Sequence, residues 1–154
     1  MSKKVIIMIA LPGAGKSTEA GLIKESVEKS GRQCAIHSTD DYFINAWGQY
    51  QFEPEKLIGN HALNQEAFAR SLENGIDVVI VDNTNLRRVH REVYAQKARE
   101  EGYEVHYLVL GSFGPKSCFV YSKRNKHGVP LGTIRRMAEY YEPVTVEEQH
   151  GTNS

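Results

Sequence analysis

The 154 residues contain no run of the roughly 18 apolar residues that a membrane span needs, so no contact with a membrane is expected. Cysteine is scarce. Cys34 and Cys118 stand far apart, with no metal-ligand spacing around either, which argues against a disulfide scaffold and for a reducing, cytoplasmic location. A surplus of charge is missing too: 19 Lys and Arg face 19 Asp and Glu, so the chain lacks the global basic footprint of a protein that coats nucleic acid. There is no low-complexity linker, and a single domain over 1–154 is expected. The apolar stretch after Lys3 and Lys4 is too short for a signal peptide and reads as a first strand. Acids are absent locally as well. From Val105 to Ala138 there is no Asp or Glu, while Lys116, Lys123, Arg124, Lys126, Arg135 and Arg136 fall inside that window. This is either a solvated face balanced by acids elsewhere or a phosphate-gripping lid.

What is present begins with Ala10-Leu11-Pro12-Gly13-Ala14-Gly15-Lys16-Ser17, directly after the apolar run Val5 to Ile9. Strand, glycine turn and helix in that order form a P-loop. Its backbone N–H groups, at Gly13, Ala14 and Gly15 among others, converge on one concavity at the positive end of a helix dipole. Lys16 would reach the β- and γ-phosphates, the Ser17 hydroxyl would coordinate Mg²⁺, and Thr18 would continue the first helical turn. Ala10 stands where the strict pattern has glycine, a mild departure.

Helix and strand patterns alternate along the rest of the chain. Helices are expected at about 16–30, 54–75 and 86–101, and strands at about 33–38, 78–81 and 105–110. In the second helix the inward stripe reads Leu57, Ile58, His61, Ala62, Gln65, Phe68, Ala69 and Leu72, with His61 and Gln65 as core-edge residues. In the third it reads Leu86, Val89, Val93 and Lys97 or Ala98. Two further helices, 114–125 and 131–141, flank a break at Gly128-Val129-Pro130 within a lid of about 113–141, and a short tail follows from 143 to 154. Such repeated units imply an α/β fold, a parallel sheet of four to five strands between helices, with ligands at the carboxyl ends of the strands.

Three strand ends carry reactive side chains. Besides the P-loop there are Ser38-Thr39-Asp40-Asp41-Tyr42 and Asp82-Asn83-Thr84-Asn85. Asp82, at the end of an unbroken apolar strand, is placed to hold Mg²⁺; alternatively Asp82 and Thr84 cap the next helix. Asp40 or Asp41 fits a base that takes the proton of an acceptor hydroxyl; alternatively the pair caps a turn. Tyr42 and Phe43 are available either to stack on a base or to pack in the core, packing being the more natural place for Tyr42.

These segments, ALPGAGKST, STDDYF, VIVDNTNL and KRNKHGVP followed by IRRM, resemble those of the polynucleotide kinase family of P-loop kinases, including the kinase half of the bacteriophage polynucleotide kinase-phosphatase and related small AAA-type and zeta-toxin-like kinases. The resemblance implies ATP- and Mg²⁺-dependent phosphorylation of a 5′-hydroxyl end of DNA or RNA. It implies Asp40 as general base with Lys16 and Arg124 on the transferring phosphoryl group, Ser17 and Asp82 at the metal, and Asp41, Tyr42, Phe43 and Thr84 beside the acceptor. Lys123, Arg124, Lys126 and His127 would belong to the lid. Two family arginines are replaced here, one by Phe43 and one by the Lys126-His127 pair, and neither substitute grips phosphate bidentately. Other acceptors therefore stay open: a hydroxymethylated base, an aminoacyl-tRNA or a small metabolite. So does a nucleotide-binding interaction module without turnover. No guanine signature is present, which favours ATP.

Overall fold

The computed structural model describes residues 2–151. Four strands, β1 (Lys4–Ile9), β2 (Cys34–His37), β3 (Val78–Val81) and β4 (Glu104–Val109), form one parallel sheet in the order β2-β3-β1-β4. Val5 pairs with Val79 and Val105, and Ala35 with Val79, so β3 and β1 are central. Both faces of β3 are covered, which is why Val78-Val79-Ile80-Val81 is apolar throughout.

Helix α1 (Lys16–Lys29) covers one face through Ala20, Ile23 and Val27 against Met8, Val78 and Ile80. Helices α2 (Leu57–Glu73) and α3 (Arg88–Glu100) cover the other, where Phe68, Leu72, Tyr94, Ala95 and Ala98 pack on Val5, Ile7, Val79 and Val81. A third cluster lies at the carboxyl edge. There α4 (Pro115–Arg124) and α5 (Leu131–Glu139) bury Cys118, Tyr121 and Ile134 against Leu11 of the P-loop and Leu86. A short α6 (Val146–His150) closes on α3 and β4. No helix among the described residues is long and apolar enough to cross a membrane.

Two inward stripes differ from the sequence expectation. In α3, Val89 and Val93 are exposed, and the buried face is Arg91, Tyr94, Ala95 and Ala98. In the first half of α2, Ile58 and His61 are exposed while Asn60 and Asn64 are buried. Both amides donate, Asn60 Nδ2 to the Tyr42 carbonyl at 3.2 Å and Asn64 Nδ2 to the Tyr94 hydroxyl at 3.0 Å, while Asn64 Oδ1 is buried without a partner among the described residues. Apolar periodicity cannot reveal a buried polar residue whose partner comes from another element.

Candidate active site

Because β2, β3 and β1 are neighbours, their carboxyl ends bring three loops side by side, with Asp82 between the P-loop and the Asp40 turn. Backbone bonds tie them. Ala10 N donates to the Thr84 carbonyl at 3.1 Å, Asp82 N to the His37 carbonyl at 2.9 Å, and the Asn83 side chain accepts from Thr39 N at 2.9 Å. Asn85, at φ 48°, donates from its amide to the Met8 carbonyl at 2.8 Å, fixing the return of the chain toward α3. Helix α3 starts without a side-chain cap, so Asp82 and Thr84 are not its caps.

In the P-loop, Gly13 and Gly15 have φ of 88° and 94°, where a side chain is strained. Their surroundings differ. A Cβ on Gly13 would lie 2.7 Å from the Tyr121 carbonyl oxygen of α4, whereas Gly15, at the N-cap of α1, faces open space. Gly13 therefore also lets the lid helix pack on the loop, and Gly15 leaves the concavity free. Lys16 opens α1, Thr18 is exposed in its first turn, and Ala14 N is held by the Leu11 carbonyl.

Next to this nest the Ser17 hydroxyl donates to Asp82 Oδ2 at 3.0 Å. Asp82 is buried, and its Oδ1 has no hydrogen-bond partner among the described residues. An orphaned buried carboxylate oxygen is costly. A hydroxyl and a carboxylate side by side suit Mg²⁺, which takes one or two protein ligands and completes its shell with water and phosphate oxygens. The donor set thus fits the ion the sequence implies, although no group of three His, Cys, Asp or Glu forms a metal cage among the described residues.

Asp40 and Asp41 lie in a 3₁₀ turn, Thr39–Phe43, at the mouth of β2. No side chain caps this turn. Partial burial, with Asp82 and Asp40 close by, pushes the Asp41 carboxyl above the ordinary carboxylate range, while His127 and Lys126 pull it back. Asp40 faces the lid, with its Oδ2 at 3.4 Å from His127 Nε2. Phe43 is only 4% exposed, packed on Phe52 and Tyr50, and Tyr42 is 37% exposed. The expected roles of these two are thereby exchanged: Phe43 is the core residue and does not present its ring to an acceptor. Thr84 is half-buried beside the P-loop.

The lid is docked. Arg124 Nε donates to the Gly13 carbonyl at 2.6 Å, with the guanidinium over the Tyr121 ring. Lys123 lies over exposed Phe119, and Lys126 is exposed near Asp41. Asn125 stiffens the turn between α4 and α5 by bonding Val129 through both its amide nitrogen and its oxygen, at 3.0 and 2.7 Å.

The family model described as AAA domain matches residues 5–144. The chain belongs to that family. It is a P-loop kinase-like domain, an α/β fold with a parallel four-stranded sheet flanked by helices. NEDD4-binding protein 2 of Homo sapiens is 37% identical over 142 residues, covering 90% of this chain and 8% of that protein. YLP motif-containing protein 1 of Rattus norvegicus is 32% identical over 157 residues, covering 90% of this chain and 11% of that protein. The AAA domain thus spans about a tenth of the length of these relatives. Among solved structures, a chain of the Pnkp1/Rnl/Hen1 RNA repair complex superposes with a TM-score of 0.67 at 15% identity, covering 99% of this chain and 47% of that one, a likeness of fold.

Several residues of the AAA domain's site carry no sequence signal of their own. His61 Nδ1 lies 3.1 Å from Thr39 Oγ1 and feels the Asp40 carboxylate, so it is part of the site's edge and not of the core; burial holds its pKa below the ordinary histidine value. Tyr50 reaches Asp40 from an irregular segment. Arg87 pairs with Glu142, Arg88 with Glu92 and Glu147, and Arg91 with Glu148, while Arg124 bonds the Gly13 carbonyl of the P-loop.

Proposed function

We propose that this AAA domain transfers the γ-phosphoryl group of ATP to the 5′-hydroxyl end of DNA or RNA. The observation that carries the reading is the Ser17–Asp82 pair, with its orphaned carboxylate oxygen, set between a phosphate nest and the Asp40 carboxylate. A hydrolase needs only a residue that orients water; a kinase needs a base beside an acceptor hydroxyl, and a carboxylate at the mouth of β2, next to Asp82, supports that role for Asp40.

In this reading the N–H groups of Gly13 and of Gly15 to Thr18, with the Lys16 ammonium, bind the phosphates, and Ala14, whose N–H goes to the Leu11 carbonyl, shapes the loop. Ser17 and Asp82 would hold Mg²⁺, which supplies neutralisation of the charge shared by the β- and γ-phosphates. Asp40 accepts the proton of the attacking hydroxyl as its oxygen bonds to the γ-phosphorus, and the bond to the β-phosphate oxygen breaks, releasing ADP. Arg124, one residue from the turn over the nest, exchanges the Gly13 carbonyl for the transferring phosphoryl oxygens. Asp41, Tyr42 and Thr84 border the acceptor side. Trp47, 84% exposed, stands with Ile44, Phe52 and Tyr42 as uncovered apolar surface on that side, suited to stacking unpaired bases. The fold shared with a chain of an RNA repair complex agrees with this acceptor.

The test is transfer from γ-labelled ATP with Mg²⁺ to 5′-hydroxyl DNA and RNA oligonucleotides, beside 5′-phosphorylated and hydroxymethyl-base oligonucleotides. Label confined to 5′-hydroxyl ends supports the proposal. Label on the modified base alone moves the acceptor to an internal hydroxyl, and ATP binding without label on any of them overturns the 5′-kinase reading.

A further inference from the structure

The base of the proposed reaction is gripped by two segments that have no chain connection to each other. One is the irregular stretch 44–53, turned back on itself by an Ile44–Tyr50 bridge and by the Asn45 side chain, whose oxygen accepts from Trp47 N and Gln49 N at 3.0 and 2.9 Å. The other is the lid turn between α4 and α5. They meet over Asp40. The Tyr50 hydroxyl lies beside the Asp40 carboxylate, His127 Nε2 lies 3.4 Å from Asp40 Oδ2, and the two rings face each other with centroids 3.9 Å apart at 31°. Burial and Asp40 push the Tyr50 pKa up to about 12, so this hydroxyl remains a donor. His127 Nδ1 is buried and has no partner among the described residues. A proton on Nδ1 would be stranded there, whereas a proton on Nε2 lies on the side of the Asp40 carboxylate.

We infer that His127 and Tyr50 are positioning residues for Asp40, joining lid and acceptor segment over the base so that the closure that brings Arg124 to the phosphates also fixes the carboxylate. This rests on the reading of Asp40 as general base. A carboxylate free to rotate presents its lone pair to the acceptor hydroxyl only part of the time, and two polar groups held against it by a paired set of rings restrict that freedom. The imidazole contacts the base, while Arg124, at the end of α4, bonds the Gly13 carbonyl of the P-loop. Other charged or titratable groups at this turn are Asp41 beside Asp40, His61 on α2, Asp82 at the end of β3, and Lys126 next to His127.

The experiment has two arms. In steady-state transfer to a 5′-hydroxyl oligonucleotide, His127→Ala and Tyr50→Phe should each lower kcat about tenfold or more, leaving the ATP KM within about twofold. His127→Gln, whose amide can still donate, should recover most of the loss, and the double variant should lose less than the product of the single losses. Unchanged kcat in both variants overturns the inference, as does a rise in ATP KM alone, which would make His127 a phosphate ligand. The second arm reads the join without turnover, by hydrogen exchange of the amides of Asn45, Gly48 and Gln51 with and without a non-hydrolysable ATP analogue. The analogue should slow exchange there in the wild type and not in His127→Ala. Equal protection in both contradicts the join, even if no 5′-hydroxyl proves to be phosphorylated and the proposed function falls by itself.

Discussion

Two acid–base contacts flank the site, and they are built differently. Arg91 and Glu148 are 0% and 1% exposed and meet twice, Nε to Oε2 at 2.7 Å and Nη2 to Oε1 at 2.8 Å, while Nη1 donates to the carbonyls of Asn85 and Leu86 at 3.0 Å each. His127 and Asp40 are 25% and 40% exposed and meet once, at 3.4 Å. A guanidinium withdrawn from water has to satisfy its donors on protein, and Arg91 does so on three residues. That makes it a strut: it clamps the end of the loop bearing Asp82 and Thr84 to α3 and α6. The His127 contact sits between a turn and an irregular segment, where little apolar burial opposes separation. One holds the loop bearing Asp82 in place from within the core; the other is the weaker join, between two exposed segments.

The comparison is broken most severely on the buried side. Arg91→Ala leaves Glu148 buried without its partner and should destabilise the domain by about 3–5 kcal/mol, read as the urea midpoint. Replacing both partners by apolar residues, Arg91→Met with Glu148→Leu, should cost far less. Similar losses in the single and double variants would mean that the pair is not a unit. On the weaker side, Arg124→Ala should lower kcat about a hundredfold and change the ATP KM little, with the urea midpoint unmoved. A loss seen in KM alone would restrict Arg124 to ground-state binding.

Smaller effects sharpen the contrast. Because burial, Asp82 and Asp40 raise the folded-state pKa of Asp41, its ionised form is disfavoured on folding and lowers stability at neutral pH. Asp41→Asn should therefore raise the Tm at pH 7, and by less at a pH below the ordinary carboxylate range; a lower Tm at pH 7 would contradict this. His37 runs the other way. Burial and Arg70 hold its pKa below the ordinary value, with Nε2 at 2.8 Å from Ser71 Oγ. The unfolded chain then binds the proton more readily, so this stability is complete above about pH 6.5 and declines as pH falls toward the lowered folded value. The urea midpoint should drop between pH 7.5 and 5.5, with a shallower drop in His37→Gln; identical slopes would remove His37 from the account.

The sheet and the phosphate nest were legible because their signals are local. Glycines at 13 and 15 mark a turn that needs positive φ, and four successive apolar residues before Asp82 mark a strand covered on both faces. The Asp40 turn was legible for the same reason. What was hidden depends on partners distant in sequence. Asn60 and Asn64 look like solvent-facing residues until Tyr42 and Tyr94 meet them, and Arg91 looks like part of a basic surface until Glu148, 57 residues later, arrives. The Tyr42 and Phe43 roles were reversed because adjacent residues on a 3₁₀ turn point apart, and only the placement of Tyr50 and Phe52 shows which of them is covered. Tyr50 itself lies in a segment with no helical or strand periodicity to locate it.

The account centres on Asp40 as the group that takes the acceptor proton beside a preformed nucleotide site. The most direct measurement compares wild type with Asp40→Asn, both for transfer from γ-labelled ATP to a 5′-hydroxyl oligonucleotide and for ATP affinity by titration. Asparagine keeps the size and polarity of the side chain but cannot serve as the base. The account predicts that transfer falls at least about a hundredfold while ATP affinity stays within about twofold. Transfer at the wild-type rate would contradict it.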